Sequence, residues 1–390
     1  MDITLTNYMR SLLDQSIPTF HRYIFDQIDW NDRLFAVVGP RGVGKTTMFL
    51  QYTKAHLVDK KIFYVSADNI YFSTHTLIEL ADEYSKEGGE QLFIDEIHKY
   101  AGWSKELKQV YDTHPDLKIG ITGSSVLDIL DGNADLSRRC PMYTMQGLSF
   151  REYLKIFEHI DVPVFTLDGI LANQAKIPEV RHPLPFFKTY LKSGYYPFAK
   201  DSEFNMRLLQ IINLTLEVDI PLYAGMNAST GRKLKRLLSI IAKSVPFKPV
   251  IDKISRMINV SRNDLGDYLL DMEKAGLISQ LRDDTGGIRG LGKVEKIYLD
   301  NTNLAYELGG NVTNIGNIRE TFFYNQMRVH HDTMSSRISD FTINGKTFEI
   351  GGRGKGQSQI AGAIDGYIVK DDIEYGEGNM IPLWAFGLNY

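Results

Sequence analysis

A chain of 390 residues, 43% of them apolar and 24% charged, exceeds one ordinary hydrophobic core, so two to four globular domains that fold without staples are expected. The net charge of -4 gives no global pull toward nucleic acid, and the single cysteine, Cys140, excludes an intrachain disulfide and a cysteine-cluster metal site. No basic-then-apolar export signal opens the chain and no apolar run is long enough to cross a bilayer, so a cytoplasmic protein with no membrane partner is expected.

From the N-terminus, Tyr8 to Trp30 reads as a helix, with Arg22, Tyr23 and Phe25 as core packing. Then Phe35-Ala-Val-Val meets glycines and a proline, and Lys45-Thr46-Thr47 opens an amphipathic stretch from Met48 to Leu57: strand, tight loop, helix. The spacing Gly39-x-x-x-x-Gly44-Lys45-Thr46 is that of a phosphate loop, in which Gly39, Pro40, Arg41, Gly42, Val43, Gly44, Lys45, Thr46 and Thr47 turn backbone N–H groups and a helix N-terminus toward a nucleotide. Glycine permits the close approach, Lys45 brings a point charge to the phosphates, and the Thr46 hydroxyl is a ligand for Mg²⁺. ATP or ADP with Mg²⁺ is the expected occupant.

Lys61–Ala67 reads as a second strand and Thr74–Ser85 as a helix; strands alternating with helices predict a parallel, doubly wound sheet with ligands beyond its carboxyl ends. The next strand, from Gln91, ends in Asp95 and Glu96. Asp95 is placed to hold Mg²⁺ through water and Glu96 to polarise an attacking water, a pair that favours hydrolysis of ATP over transfer to a metabolite. A fourth strand from Leu117 ends in hydroxyls, and Thr122 or Ser124 is the candidate for sensing the γ-phosphate.

The loop Pro40-Arg-Gly-Val-Gly-Lys-Thr-Thr47, the strand end Ile94-Asp-Glu-Ile-His-Lys99, Thr122-Gly-Ser-Ser125, Leu136-Ser-Arg-Arg139 and Gly147-Leu-Ser-Phe-Arg-Glu-Tyr-Leu154 resemble the prokaryotic AAA-type ATPases that carry a C-terminal domain of unknown function. The resemblance implies an arginine that contacts a γ-phosphate, often in a neighbouring subunit. Arg139 matches best, with Arg138 beside it, which implies a homo-oligomer. It also implies a helical lid, matched by the helical periodicity from Phe150 to Gly231 with its Gly194-Tyr-Tyr-Pro197 turn. Tyr195, Tyr196 and Phe198 read as packing around that turn.

From Arg232 the composition turns basic, with nine lysines and arginines against Asp252 alone across residues 231–262. Helices over 231–244 and 250–258, a third capped by Ser261, and strands 277–281 and 295–299 joined at Gly286-Gly287 predict a winged helix-turn-helix. Lys235, Arg236, Arg262 and Asn263 are its candidates for contact with double-stranded DNA. Asp264, Asp267 and Asp271 argue for a protein partner instead. Beyond it, Glu320 on a helix, and Asp340 and Glu349 across a hairpin, look like a restriction-endonuclease-type core. Gly351 stands two residues after Glu349 where that pattern has lysine, so the site reads as degenerate, with Lys346 or Lys355 as substitutes and the glycines around Arg353 and Lys355 leaving a loop open to a phosphate.

The expected fold is α/β: a P-loop NTPase parallel sheet over 1–150, a helical lid over 151–230, a winged helix over 231–305 and a degenerate nuclease-like α/β domain over 306–390. The expected activity is Mg²⁺-dependent ATP hydrolysis coupled to the C-terminal half. Two alternatives stand beside it: a slow nucleotide-held switch or scaffold for a protein partner, and an ATP-regulated nuclease.

Overall fold

The structure, a computed structural model, describes residues 1–58, 60–123, 138–226, 228–285, 292–310 and 313–390. It divides into two compact units, Met1–Gln146 and Gly147–Tyr390.

The first unit is a parallel sheet. Strands β1 (Leu34–Val38), β2 (Ile62–Ser66), β3 (Gln91–Asp95), β4 (Lys118–Gly123) and β5 (Met142–Thr144) take the order β2-β3-β4-β1-β5, and every pairing is parallel. Residues of β1 to β3 are buried throughout, as a sheet covered on both faces requires. Helices α1 (Ile3–Leu13), α2 (Lys45–His56), α3 (Leu77–Lys86) and α4 (Trp103–Thr113) accompany it. The N-terminal segment departs from expectation. Asp2 caps α1 early and the helix stops at Leu13, because the stretch around Pro18, which cannot donate a backbone hydrogen bond, is held by Gln51 Nε2 on the carbonyls of Pro18 and Phe20.

The second unit begins with helices α5 (Phe150–Phe157), α6 (Leu167–Leu171), α7 (Leu184–Thr189), α8 (Phe204–Leu214) and α9 (Ile220–Tyr223), with a π-helical turn after α7 and another after α8. Three helices follow, α10 (Ala228–Ser244), α11 (Ile251–Ile258) and α12 (Arg262–Lys274), then antiparallel β6 (Ile278–Arg282) and β7 (Val294–Leu299). Ser261 and Asp264 form a capping box at the start of α12. The expected Gly286-Gly287 tip lies outside the described residues. Helices α13 (Thr302–Gly309) and α14 (Ile315–Met327) lead to a second sheet of β8 (Thr333–Ser335), β9 (Phe341–Ile343), β10 (Lys346–Gly351), β11 (Gly366–Lys370) and β12 (Met380–Pro382), in the order β12-β11-β10-β9-β8. Segments 151–230, 231–305 and 306–390 all contribute to one continuous hydrophobic core. Its closing piece is the terminal Leu383–Leu388 turn and Tyr390, whose carbonyl accepts from Ser149 Oγ and from Arg151 Nε, both at 2.8 Å. Tyr195, Tyr196 and Phe198 are all buried in this core.

Candidate active site

Strand β1 carries the chain to the carboxyl edge of its sheet, where Gly39, Gly42 and Gly44 hold φ of 151°, 83° and 104°. A Cβ on Gly39 would stand 2.1 Å from the Met145 carbonyl oxygen, so only glycine fits there. Pro40 and Val43 are buried within the turn, Gly44 caps α2 in the left-handed region, and Thr47 lies in the first turn of that helix, whose leading N–H groups have no intrahelical partner. Lys45 is buried and donates to the carbonyls of Gly39 at 2.8 Å and Pro40 at 2.9 Å. Beneath the turn, buried Arg22 donates to the Val43 carbonyl at 2.5 Å and to the Gln146 carbonyl at 2.7 Å. Sequence reasoning read Arg22 as packing; it braces the loop. Phe25 is the packing residue of that group, stacked on His21 with ring centroids 3.8 Å apart.

Strands β3 and β4 bring the acidic residues and a hydroxyl to the same edge. Asp95 is buried, and its Oδ2 accepts from Thr46 Oγ1 and from Tyr64 OH, each at 2.7 Å, while its Oδ1 accepts from Thr122 Oγ1. The Thr122 hydroxyl in turn accepts from the Glu96 backbone N–H at 3.0 Å. Thr122 is therefore joined to both acidic residues. Ser124, the other candidate, lies outside the described residues. Glu96 takes φ 52°, a left-handed conformation costly for a residue with a Cβ. Its Oε2 stands 3.4 Å from His98 Nε2 and 3.8 Å from Arg41 Nη2. Burial pushes the Glu96 carboxyl up from its ordinary range; nearby Lys45 opposes this, Asp95 adds to it and Arg41 opposes it.

The cramped glycines, buried lysine and helix N-terminus fit a polyphosphate, and the Thr46 hydroxyl beside the Asp95 carboxylate offers the hard oxygen atoms that Mg²⁺ takes. Tyr64 escaped sequence reading. The strand was legible, but which of its faces reaches Asp95 was not.

Arg139 stands elsewhere. Its guanidinium pairs with Asp112 and lies 5.3 Å from the Tyr111 ring centroid, and Arg33, just ahead of β1, lies over the same ring at 3.9 Å. That is the amino edge of the sheet, about 16 Å of strand from the carboxyl edge at 3.3 Å per residue. Arg139 cannot reach the phosphate loop of its own chain in this arrangement.

In the second unit the three nuclease-like carboxylates separate into two groups. Lys296 Nζ, on β7, meets Glu320 Oε2 at 3.0 Å and Asp340 Oδ1 at 3.2 Å, and Tyr298 OH donates to Glu320 at 2.6 Å. Glu349, buried on β10, is bound instead by Lys355 and by Ser339 Oγ at 2.6 Å. Among the described residues no three His, Cys, Asp or Glu side chains come together to hold a metal. Lys355, not Lys346, pairs with Glu349, and its stem packs on Gly351; the expectation of an open loop is corrected for Lys355, while Arg353 is exposed. Of the DNA candidates, Lys235 pairs with Glu217 at 2.6 Å and Arg262 pairs with Asp252, whereas Arg236 and Asn263 are exposed.

A parallel sheet with a phosphate loop after β1 and an Asp-Glu pair after β3 defines the first unit as P-loop in class. Residues 31–154 match the family described as AAA domain, which supports an AAA-type P-loop ATPase with nucleotide binding and hydrolysis. No curated protein matches the chain. Among solved structures, AMPPCP-bound DnaA from Aquifex aeolicus is similar at 13% identity over 70% of this chain and 89% of its own, with a TM-score of 0.26, too distant a likeness to bear on fold or function. No helix among the described residues is long and apolar enough to cross a membrane.

Proposed function

We propose that the chain is a Mg²⁺-dependent ATPase of the AAA class whose nucleotide state governs its C-terminal half. The observation that carries this reading is the unbroken set of hydrogen bonds from Thr46 through Asp95 and Thr122 to the Glu96 N–H, which joins the phosphate loop to two strand ends as one preorganised group. Lys45 and the N–H groups of the loop hold the β- and γ-phosphates. Thr46 and Asp95 hold Mg²⁺, which when bound offsets phosphate charge. Glu96 orients water and accepts its proton, and Thr122 keeps the Glu96 backbone in place.

Glu96→Gln tests the reading: the amide keeps the shape but accepts a proton poorly, so ATP binding should persist while hydrolysis falls on the order of 10²-fold or more. Lys45→Ala should remove the binding itself. A Glu96→Gln variant that turns over like wild type would make Glu96 a bystander, and negligible turnover in the wild type itself would leave the chain a nucleotide-held switch.

For the second unit, we read 151–230 as a lid, α10 to α12 with β6 and β7 as a winged helix over 231–305, and 306–390 as a degenerate nuclease-like domain. The exposed ion pairs at Lys235 and Arg262 reduce the charge this face offers to duplex DNA and to an acidic protein partner alike. Lys296 between Glu320 and Asp340, with Glu349 held apart by Lys355, favours a fold that no longer cuts. Arg139 keeps a role only toward the nucleotide of a neighbouring copy.

A further inference from the structure

We propose that Tyr64 is a positioning residue for the metal half of the nucleotide site, fixing the Asp95 carboxylate beside Thr46 so that Mg²⁺ strengthens nucleotide binding. The inference rests on the ATPase reading above and adds to it a residue from a strand outside the phosphate loop and the acidic pair.

The geometry follows from register. Strands β2 and β3 are parallel, with Ser66 opposite Asp95 and Tyr64 opposite Phe93. Tyr64 is thus two residues short of the sheet edge, about 6.6 Å back along the strand, a gap that a phenol spans and a shorter polar side chain does not. Its hydroxyl donates to Asp95 Oδ2 at 2.7 Å, the same oxygen that accepts from Thr46 Oγ1 at 2.7 Å. Thr122 takes the other oxygen. An ionised carboxylate has about four acceptor positions, so three chain donors leave roughly one for a ligand and prevent the group from turning about its last torsion. The phenol is buried at 1% exposure, with its hydroxyl turned to the carboxylate. Phenylalanine would fill the same volume. What the hydroxyl adds over a phenylalanine in this apolar strand is its hydrogen bond to Asp95 Oδ2.

Outer partners of metal ligands typically contribute about 10- to 100-fold in metal affinity. The experiment measures binding of a fluorescent ATP analogue to the full chain in EDTA and across a Mg²⁺ series, for wild type, Tyr64→Phe, Asp95→Asn and the double variant. Tyr64→Phe should bind as wild type does in EDTA and should lose about tenfold of the strengthening that Mg²⁺ brings. Asp95→Asn should lose nearly all of that strengthening, and Tyr64→Phe added to it should cost nothing more, since the phenol acts through Asp95. Full Mg²⁺ response in Tyr64→Phe, with the response lost in Asp95→Asn, overturns the role of Tyr64 alone. A Mg²⁺ response surviving in Asp95→Asn overturns the metal assignment beneath it. A loss in Tyr64→Phe that also appears in EDTA, or that adds in full to Asp95→Asn, marks the hydroxyl as a packing or folding contact and overturns the proposal as well.

Discussion

Glu96 occupies its place under strain and against its own charge. Burial raises its carboxyl above the ordinary glutamate range, and a base must be ionised to act, so kcat/KM for ATP should fall as pH drops through that raised value rather than near 4.5. Arg41 opposes the rise, so Arg41→Ala should move the acid limb to higher pH; a pH–rate profile decides, and an unmoved limb would remove Arg41 from the electrostatics of the site. The same shift has a sign for stability. A carboxyl whose folded value is raised favours the native state while protonated and loses that contribution as pH climbs through the folded value. Glu96→Gln should accordingly gain stability over wild type at neutral pH and lose the advantage in acid, where both are uncharged. The phosphate loop, Asp95 and Glu96 were legible from residue order because spacing and strand ends encode them. Tyr64 and Arg22 were not, since their roles depend on which face of a strand and which side of an irregular turn they occupy.

Among the elements, regularity determined what could be read. Strands β1 to β4 are apolar runs with clear ends, and α12 announces itself by Ser261; β5 has only three residues, too few to show a period, and the stretch between α1 and β1, read as helix, is irregular but for a short 3-10 turn at Phe25–Gln27. That irregular stretch is nevertheless what holds the loop. Arg22→Met would leave the Val43 and Gln146 carbonyls without their donor, a loss of about 2–3 kcal/mol at the usual cost of an unsatisfied buried partner. Urea unfolding of the variant, with its ATP affinity, checks this; wild-type values for both would make Arg22 a bystander. In the second unit, Lys296 links β7 to α14 and to the approach to β9. Removing one partner of a buried ion pair typically costs about 3–5 kcal/mol, and with 30% of its side chain exposed Lys296→Met should fall at or below the lower end. Glu320→Gln in the same chain should recover part of the loss, because the carboxylates left facing each other are then no longer both charged.

For the whole molecule, the basic run over 231–262 is the feature whose partner separates the readings. If it meets duplex DNA, binding weakens with salt by a log–log slope of about −0.9 per phosphate contact. With Lys235 and Arg262 engaged by acidic neighbours, fewer contacts remain than the nine basic residues suggest, and a slope shallower than about −3 is expected even if duplex binds. Fluorescence anisotropy of a labelled duplex across a salt series measures it, and a flat baseline at low salt would leave an acidic protein partner. The division of the chain was less legible than its motifs. Helical periodicity after Phe150, a basic shift from Arg232 and the carboxylates beyond 306 marked segments along the chain, whereas a core is defined by which apolar faces meet, and those from α5 to the closing turn meet one another.

The hydrogen bonds from Ser149 and Arg151 to the Tyr390 carbonyl tie the first helix of the second unit to its last residue. Contacts separated by some 240 positions carry a higher loop-closure cost than local ones and form late. During synthesis the first unit has all its strands once residue 144 has emerged, so it can fold on the ribosome. The second cannot seal its core until residues 383–390 are released, and its helices must wait with apolar faces exposed. A chain stalled shortly before that point should present a folded nucleotide unit joined to a protease-sensitive, chaperone-binding remainder.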